Sequence, residues 1–320
     1  MSQSVFLTGA TGFVGGDLLR RLVADSFSVT AAVRKGAVLD ASGITIVAFE
    51  SFESARWDEV LTGIDAVVHC AARVHVMDDK EADPLAAFRK VNVEGTLSLA
   101  QQAAEAGVRR FVFISSIKVN GEGTSLGRPY TADDHPEPGD PYGVSKMEAE
   151  QGLRALAART GMEVVIIRPV LVYGPGVKAN FLNMMRWLDK GIPLPFGAIN
   201  NRRSLVALGN LVDLIVTALT HPSAANQTFL ASDGEDLSTT QLLRRMASAL
   251  GKPAHLLPLP SWVLSIAANM LGKQSLSQRL CGSLQVDISK NKELMHWTPP
   301  ISVDDALKTA AQHYTELKKK

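Results

Sequence analysis

Six short runs of apolar, mostly β-branched or aromatic residues alternate with longer helical patterns along the first part of the chain. In chain order the runs read SVFLT, SVTAAV, ITIVAF, DAVVHCA, RRFVFISS and MEVVIIRPV. Near-continuous apolar runs of strand length are typical of strands that crossover helices cover on both faces. The pattern therefore predicts an α/β fold built on a doubly wound parallel sheet, the Rossmann architecture.

After Gly174 the alternation ends, and segments rich in proline and glycine separate shorter helical patterns. These segments include YGPGVKAN, KGIPLPFGAINN and GKPAHLLPLP. Such breaks favour a second, smaller domain. We assign residues 1–172 and 205–230 to the dinucleotide-binding sheet domain, and residues 173–204 and 231–320 to a smaller C-terminal substrate domain.

The turn after the first run, LTGATGFVGGDLLRRL, has the spacing G-x-x-G-x-x-G between a predicted strand and a predicted amphipathic helix. Without side chains, the turn can be tight and a pyrophosphate can approach the amides at the helix N-terminus. The alternative is a tight turn in a sheet without a cofactor. We predict dinucleotide binding, with contacts from Gly9, Thr11, Gly12, Phe13, Val14 and Gly15.

The end of the second run indicates which dinucleotide binds. Enzymes that choose NAD usually place a carboxylate there, on the ribose hydroxyls. This chain has Val33, Arg34 and Lys35 at that point and no acid. The Arg34 guanidinium suits a 2′-phosphate, so NADP (NADPH) is the predicted cofactor. If the basic turn is only solvated, NAD remains the alternative.

The amino-acid composition limits the classes of partner and the cellular locations that fit this chain. Hydrophobic residues make up 46% of the chain and charged residues 20%, with a formal net charge of +1, so neither disorder nor nucleic-acid binding is indicated. Two cysteines, Cys70 and Cys281, without metal-ligand spacing predict no disulfide framework, no metal site and a cytoplasmic location. The most apolar stretch, Trp262 to Leu271, is shorter than the roughly 20 residues of a spanning helix, so we predict no membrane insertion.

The segment DPYGVSKMEAE, residues 140–150, places Tyr142 and Lys146 four positions apart at the start of a predicted helix. Residues at that spacing share a helix face, so the ammonium can approach the phenol and lower its pKa. An exposed aromatic residue beside a solvated lysine is the alternative, and the pair alone does not decide between them.

Several motifs in order resolve that choice. TGATGFVG, DAVVHCAA, VNVEGT, FVFISSIKVNG, PYGVSK and RPVLVYGPG follow one another along the chain. In these motifs the chain resembles extended short-chain dehydrogenases/reductases of the NAD(P)-dependent epimerase/dehydratase family. The resemblance implies a nucleotide-sugar oxidoreductase with Ser116, Tyr142 and Lys146 as catalytic residues. It also implies cofactor contacts from Ala71, Tyr142, Lys146 and Pro169, pyrophosphate contacts from Asn180 and Arg203, and a homodimer. Lys178 and Arg202 are the alternatives to Asn180 and Arg203.

The residues after Ser116 discriminate between reactions within the family. The sugar 4,6-dehydratases carry an Asp-Glu pair there, whereas this chain has Ile117 and Lys118, which excludes that chemistry. Members that epimerise at C3 and C5 use an active-site cysteine, whereas Cys70 is predicted to be buried in a strand.

A C4 keto-reductase and a C4 epimerase remain. Arg34 favours the keto-reductase. In addition, the segments SSIKVNGEG and KANFLNMM resemble those of bacterial reductases that convert UDP-4-keto-6-deoxy-N-acetylhexosamine to UDP-N-acetylquinovosamine for O-antigen (lipopolysaccharide) synthesis. We therefore predict NADPH-dependent 4-keto reduction. An NAD-dependent UDP-sugar 4-epimerase is the alternative. A non-catalytic NADPH-sensing regulator is a remote third hypothesis, because such a protein is expected to lack the Ser-Tyr-Lys set.

Overall fold

The structure is a computed structural model that describes residues 3–39, 42–52, 54–74, 83–270 and 280–319. Strands form at all six predicted runs: β1 (Ser4–Thr8), β2 (Ser28–Arg34), β3 (Thr45–Phe49), β4 (Ala66–His69), β5 (Arg110–Ile114) and β6 (Glu163–Pro169). A seventh strand, β9 (Thr228–Ala231), completes a sheet of order β3-β2-β1-β4-β5-β6-β9. All neighbours in this sheet pair in parallel, which confirms the predicted fold class.

Helices cover both faces of this sheet, and the strand residues alternate between them. Val5 and Leu7 pack against α1 (Phe13–Ala24) and α7 (Leu208–Thr220), whereas Phe6 packs with α4 (Thr96–Glu105) and α5 (Pro141–Thr160) on the opposite face. Two short helices, α2 (Asp58–Leu61) and α3 (Pro84–Arg89), precede α4. The expectation of burial on both faces is wrong for β3, where Thr45, Ile46 and Ala48 are exposed because the strand lies at the sheet edge.

A second, three-stranded sheet follows the point where the strand-helix alternation ends. Its order is β10-β8-β7, with β7 (Leu171–Tyr173), β8 (Arg203–Ala207) and β10 (Asp236–Leu237). A separate core gathers β7 and β8 with α6 (Ala179–Asp189), α8 (Thr239–Ala249) and α11 (Val303–Lys319). Two further α-helices within the described residues are α9 (Ser261–Met270) and α10 (Ser289–Met295).

None of the helices in the described residues combines the length and the apolar character needed to cross a membrane. The apolar stretch singled out in the sequence corresponds to α9, which has 10 residues. Leu271, the last residue of that apolar stretch, lies outside the described residues.

Candidate active site

The turn between β1 and α1 leaves no room for side chains. A Cβ atom on Gly9, whose φ is +76°, would lie 2.7 Å from the amide nitrogen of Ala71, and one on Gly15 would lie 2.2 Å from the carbonyl oxygen of Gly9. Gly12 caps α1 without a side-chain hydrogen bond, so the first amides of the helix remain available to an anion. The turn therefore fits the pyrophosphate of a dinucleotide cofactor.

The other predicted cofactor contacts surround this turn. Thr11 is exposed, whereas Phe13 and Val14 are half-buried and pack against the core. Ala71 follows β4, where its amide donates to the hydroxyl of Thr8 at 3.3 Å. Pro169 ends β6 at the same carboxyl edge of the sheet.

Arg34 ends β2 with an exposed side chain, and within the described part of the chain no hydrogen bond or ion pair to it is seen. Its neighbour Lys35 donates to Glu50 at 2.9 Å, and both of those side chains are largely exposed. The basic turn is therefore solvated, and only the Lys35 ammonium has an acidic neighbour in place.

His69 and Cys70, at the end of β4, serve the fold. The His69 ring lies 2.7 Å from the hydroxyl of Thr8 and 3.0 Å from that of Thr96, and burial lowers its pKa to about 3, so the ring is neutral. Burial raises the pKa of the Cys70 thiol to about 12. A thiol with that pKa does not ionise near neutrality. Cys70 directly follows β4 and is half-buried, rather than buried inside the strand as predicted.

The three predicted catalytic residues meet where β5 ends and α5 begins. Ser116 follows β5, its hydroxyl accepts from the Lys118 amide at 3.2 Å, and its side chain shares a hydrogen bond with Tyr142. Tyr142 lies in the first turn of α5, which Asp140 caps by accepting from the Gly143 amide at 2.7 Å.

Lys146 lies one turn further along α5 and is fully buried. Its ammonium donates to the carbonyl oxygen of Ile114 at 2.8 Å and lies 4.4 Å from the centre of the Phe113 ring. Burial lowers the pKa of Lys146 to about 8, against the opposing effect of Cys70 and Glu150.

The pKa of Tyr142 differs from the prediction. Burial, reinforced by the negative charge of Asp140, raises it to about 12, and the hydrogen bond with Ser116 only partly offsets this. The prediction that Lys146 lowers this pKa is therefore wrong for the protein groups by themselves. The physical reason is that the ammonium is directed at the Ile114 carbonyl, while the phenol loses its hydration.

The residues behind the site form a buried ionic network that the sequence analysis missed. Arg168 donates to both carboxylate oxygens of Glu150, at 2.9 and 2.6 Å, and to the side-chain oxygen of Asn120 at 2.9 Å. The hydroxyl of Ser115 donates to Glu150 at 2.6 Å, so this side chain belongs to the buried network. The available signal was a charged residue inside the apolar run MEVVIIRPV.

Asn92 is a second missed residue. It lies in a π-helical segment, Lys90–Gly95, a local irregularity that is frequent at functional sites. Its side chain accepts from the Arg73 amide at 2.8 Å and donates to the Ser145 hydroxyl at 3.0 Å, which in turn donates to the Tyr142 carbonyl at 2.8 Å. Asn92 thereby helps to position the first turn of α5. Its signal was a buried amide in the motif VNVEGT.

The residues after Ser116 supply no acid. Ile117 is buried, and the Lys118 ammonium contacts the carboxylates of Asp140 and Glu122. Within the described residues, no cluster of His, Cys, Asp and Glu side chains could hold a metal ion.

The predicted pyrophosphate contacts lie on the smaller sheet and its helices. Asn180 is exposed in the first turn of α6, and the alternatives Lys178 and Arg202 are exposed as well. Arg203 opens β8, half-buried, and donates to the Gly282 carbonyl at 3.1 Å. The two predicted residues therefore belong to different elements, and their joint contact with a ligand stays a prediction.

Two relatives of known name resemble nearly the whole chain. A UDP-glucose 4-epimerase of Vibrio cholerae is 51% identical over 317 residues, covering 99% of this chain and 97% of the relative. An N-acetyl-alpha-D-glucosaminyl-diphospho-ditrans,octacis-undecaprenol 4-epimerase of Escherichia coli O157:H7 is 30% identical over 305 residues, covering 91% and 89%.

Solved structures show the same fold at lower identity. The UDP-glucose 4-epimerase of Thermotoga maritima with UDP-glucose has a TM-score of 0.78 at 21% identity, covering 99% of this chain and 100% of that one. The UDP-glucuronic acid 4-epimerase of Bacillus cereus with NAD has a TM-score of 0.79 at 20% identity, covering 98% and 99%. The sequence profile of the NAD dependent epimerase/dehydratase family matches residues 5–231. The chain therefore belongs to this family and has the extended short-chain dehydrogenase/reductase fold that its motifs predicted.

Proposed function

We propose that this protein is a UDP-sugar 4-epimerase that keeps NAD bound through the catalytic cycle. The observation that carries the proposal is the meeting of Ser116, Tyr142 and Lys146 at the sheet edge, with no acid following Ser116. That set suits proton transfer at a carbinol oxygen without elimination. The 51% identity to the Vibrio cholerae UDP-glucose 4-epimerase supports UDP-glucose as substrate, and the 30% identity to the Escherichia coli 4-epimerase of an N-acetylglucosaminyl lipid makes the N-acetylated analogue the second substrate to test.

The roles of the side chains follow from their placement. Tyr142, as the phenolate, takes the proton from the sugar 4-hydroxyl, and the resulting phenol returns it to the same oxygen when the 4-keto sugar has rotated and is reduced, while the Ser116 hydroxyl hydrogen-bonds that oxygen. NAD supplies the acceptor and donor of the hydride at C4. Lys146, buried beside the sheet edge, places a cation under this region and is suited to hold the nicotinamide ribose.

The phenol must ionise for the first proton transfer, and its pKa of about 12 in the protein alone disfavours that. A positive charge close to the phenol favours the ionised form. Of the two redox states of the cofactor, only the oxidised one carries a positive charge on the nicotinamide ring. The epimerase must therefore hold NAD, rather than NADH, when the sugar binds.

A second candidate function rests on Arg34. Its exposed guanidinium at the end of β2 could hold a 2′-phosphate, which suits the predicted NADPH-dependent reduction of a UDP-4-keto-6-deoxy-N-acetylhexosamine to UDP-N-acetylquinovosamine for O-antigen synthesis. The comparisons favour the epimerase over this reductase, because the relatives just described are 4-epimerases and one neighbouring structure contains NAD. A regulator without catalysis is disfavoured by the complete Ser-Tyr-Lys set.

The deciding experiment incubates the purified protein, without added cofactor, with UDP-glucose and separately with UDP-N-acetylglucosamine, and follows the sugar protons by NMR. We expect inversion at C4 and the release of NAD when the protein is denatured. A parallel incubation uses NADPH and UDP-4-keto-6-deoxy-N-acetylglucosamine. Consumption of NADPH there, with no inversion in the first two tubes, would replace the epimerase by the reductase.

Three finer assignments remain part of the proposal. Asn180 and Arg203 bind the UDP pyrophosphate, to which an amide and a guanidinium can both donate. The division at residues 172/173, 204/205 and 230/231 separates the cofactor domain from the substrate domain. The active protein is a homodimer.

A further inference from the structure

Lys118 joins the two segments that carry the hydroxyl groups proposed for catalysis. It follows Ser116 by two residues, and its amide donates to the Ser116 hydroxyl at 3.2 Å. Its backbone carbonyl packs against the first turn of α5, since a Cβ atom on Gly143 would lie 2.8 Å from that oxygen. Its ammonium contacts the carboxylate of Asp140, the residue that caps α5. Both the backbone and the side chain of Lys118 therefore contact the turn that carries Tyr142.

Asp140 has two opposing effects on this turn. One of its carboxylate oxygens accepts from the Gly143 amide at 2.7 Å, which satisfies an otherwise free donor at the start of the helix. The same carboxylate places a negative charge two residues before Tyr142 and disfavours ionisation of the phenol. A carboxylate in this position thus stabilises the helix but opposes the proton transfer, unless a cation lies beside it.

The other charged groups around Tyr142 lie on the elements packed against it. The Phe88 ring of α3 contacts the Tyr142 ring with 5.9 Å between centres, and the Arg73 guanidinium lies 5.7 Å from the centre of the Phe88 ring. On α5, the Lys146 ammonium is directed at a strand carbonyl. One charged residue of α3 and one of α5 pair with each other, namely Arg89 and Glu148.

The ion pair of Lys118 and Asp140 is partly shielded from solvent. The two side chains are 26% and 24% exposed, so water and salt screen their charges less than at an open surface. The Lys118 ammonium also contacts Glu122 at 3.2 Å, whose side chain is 40% exposed and better solvated. Of the two carboxylates, Asp140 is therefore the one whose charge depends more on Lys118.

We propose that Lys118 is a positioning residue for the proton transfer, because its ammonium offsets the charge of the Asp140 cap and lets this cap hold the helix without repelling the Tyr142 phenolate. The inference rests on the role of Tyr142 in the proposed function. Lys118 acts through the carboxylate and needs no contact with the sugar. The arrangement predicts effects of opposite sign for the two partners, which a mere loss of packing does not produce.

The test measures the ionised fraction of Tyr142 by near-ultraviolet absorbance, in protein saturated with the oxidised cofactor, either NAD or NADP. Subtracting the absorbance of the same protein with Tyr142→Phe added isolates this phenol. At a pH where a minor fraction of the wild-type phenol is ionised, Lys118→Met should lower that fraction roughly three- to tenfold. Asp140→Asn, which keeps a capping oxygen, should raise it. The double variant Lys118→Met/Asp140→Asn should return it at least to the wild-type value.

Two variants serve as controls. Lys118→Arg keeps the charge and should behave as the wild type does. Lys290→Met removes a similarly covered lysine, 22% exposed, that pairs with Asp133 at 2.7 Å instead, and it should leave the Tyr142 phenolate unchanged. Thermal unfolding checks that each variant is folded.

The pH dependence of kcat/KM for the UDP-sugar is the second readout. We expect its ascending limb to move to higher pH in Lys118→Met and to move back in the double variant. Equal phenolate fractions in the wild type and Lys118→Met overturn the proposal, as does a double variant that ionises no more than Lys118→Met. If the fractions follow the expected order but no inversion at C4 occurs, the epimerase is wrong and the role of Lys118 stands. Inversion with equal fractions removes only the role of Lys118.

Discussion

The catalytic and substrate sides of the candidate site are built differently. On the catalytic side, Lys146, Glu150 and Arg168 are buried, and each charged group has a hydrogen-bond partner at 2.6 to 2.9 Å. On the substrate side, Asn180 is exposed and Arg203 is half-buried. The charged groups beside and behind the proposed catalytic residues are therefore positioned by the fold before a ligand arrives, whereas the groups proposed for recognition still have access to solvent.

The energetic consequence also differs. A buried ion that loses its partner pays the full cost of desolvation, whereas an exposed ion regains water. Substitutions on the catalytic side are thus expected to affect stability, and those on the substrate side mainly affinity. Tyr142 is the exception on the catalytic side, because its phenol has a pKa of about 12 in the protein and is neutral, so removal of its hydroxyl leaves no buried charge without a partner.

The largest expected effect is on turnover. Tyr142→Phe removes the group proposed to transfer the proton, so kcat should fall roughly 100- to 10,000-fold while binding of NAD and UDP-sugar is kept. Turnover is measured by NMR and binding by calorimetry. Tyr314→Phe, which removes a phenol that contacts Asp189 far from the site, is the control. Near-normal turnover of Tyr142→Phe would remove this residue from the mechanism.

Arg168→Met leaves the buried Glu150 carboxylate without its bidentate partner. We expect the free energy of unfolding to fall by about 3 to 5 kcal/mol in urea titrations. Arg203→Met, the matched change on the substrate side, should cost less than about 1 kcal/mol. Equal losses for the two variants would show that the two sides do not differ as proposed.

The pH dependence of stability should carry the signature of Lys146. Its pKa in the folded protein, about 8, lies below the ordinary value of 10.5, so the unfolded chain binds more protons between these pH values. Its unfavourable contribution is therefore full below pH 8 and is relieved as the pH rises towards 10.5.

The free-energy difference between wild type and Lys146→Met should change by an amount on the order of 3 kcal/mol across that window. Urea titrations at several pH values measure it. The exposed Lys178→Met is the control and should give a difference that does not depend on pH there. A flat difference for Lys146→Met would mean that its pKa is not depressed.

On the substrate side, Arg203→Met should raise the KM for the UDP-sugar roughly 10- to 150-fold, with little change in kcat, because one charge-assisted contact to the pyrophosphate is lost. Initial-rate kinetics measure both constants. The neighbouring Arg202→Met is the matched control, with a small expected effect. If Arg202 proves the more sensitive position, it takes the role assigned to Arg203.

The smallest effect is expected at Arg34. In an NAD-dependent epimerase this residue is a solvated turn residue, so Arg34→Ala should change NAD affinity less than about threefold. Lys35→Ala, next in the same turn, is the control. A rise of about 10- to 150-fold in the KM for NADPH, with NADH unaffected, would instead support the reductase.

Local features of the sequence predicted most of the large sheet and the cofactor turn. The six runs contain mainly β-branched and aromatic residues, and the three glycines recur at a fixed spacing between a strand and a helix, so both patterns can be recognised from neighbouring residues. The close approach of Gly9 to Ala71, by contrast, is visible only in the structure. The seventh strand, at Thr228–Ala231, was not predicted, because it follows the point where the strand-helix alternation ends along the chain and joins the sheet only by pairing with β6.

The sequence also indicated the pair proposed for catalysis, because Tyr142 and Lys146 are separated by one helical turn. Only the tertiary structure decided their electrostatics. The phenol's pKa depends on burial by residues distant in the chain, and the Lys146 ammonium is directed at a strand carbonyl 32 positions away. Likewise, Glu150 meets Arg168 only once α5 packs on β6. Desolvation and ion pairing depend on distances in space, which residue spacing along the chain does not specify.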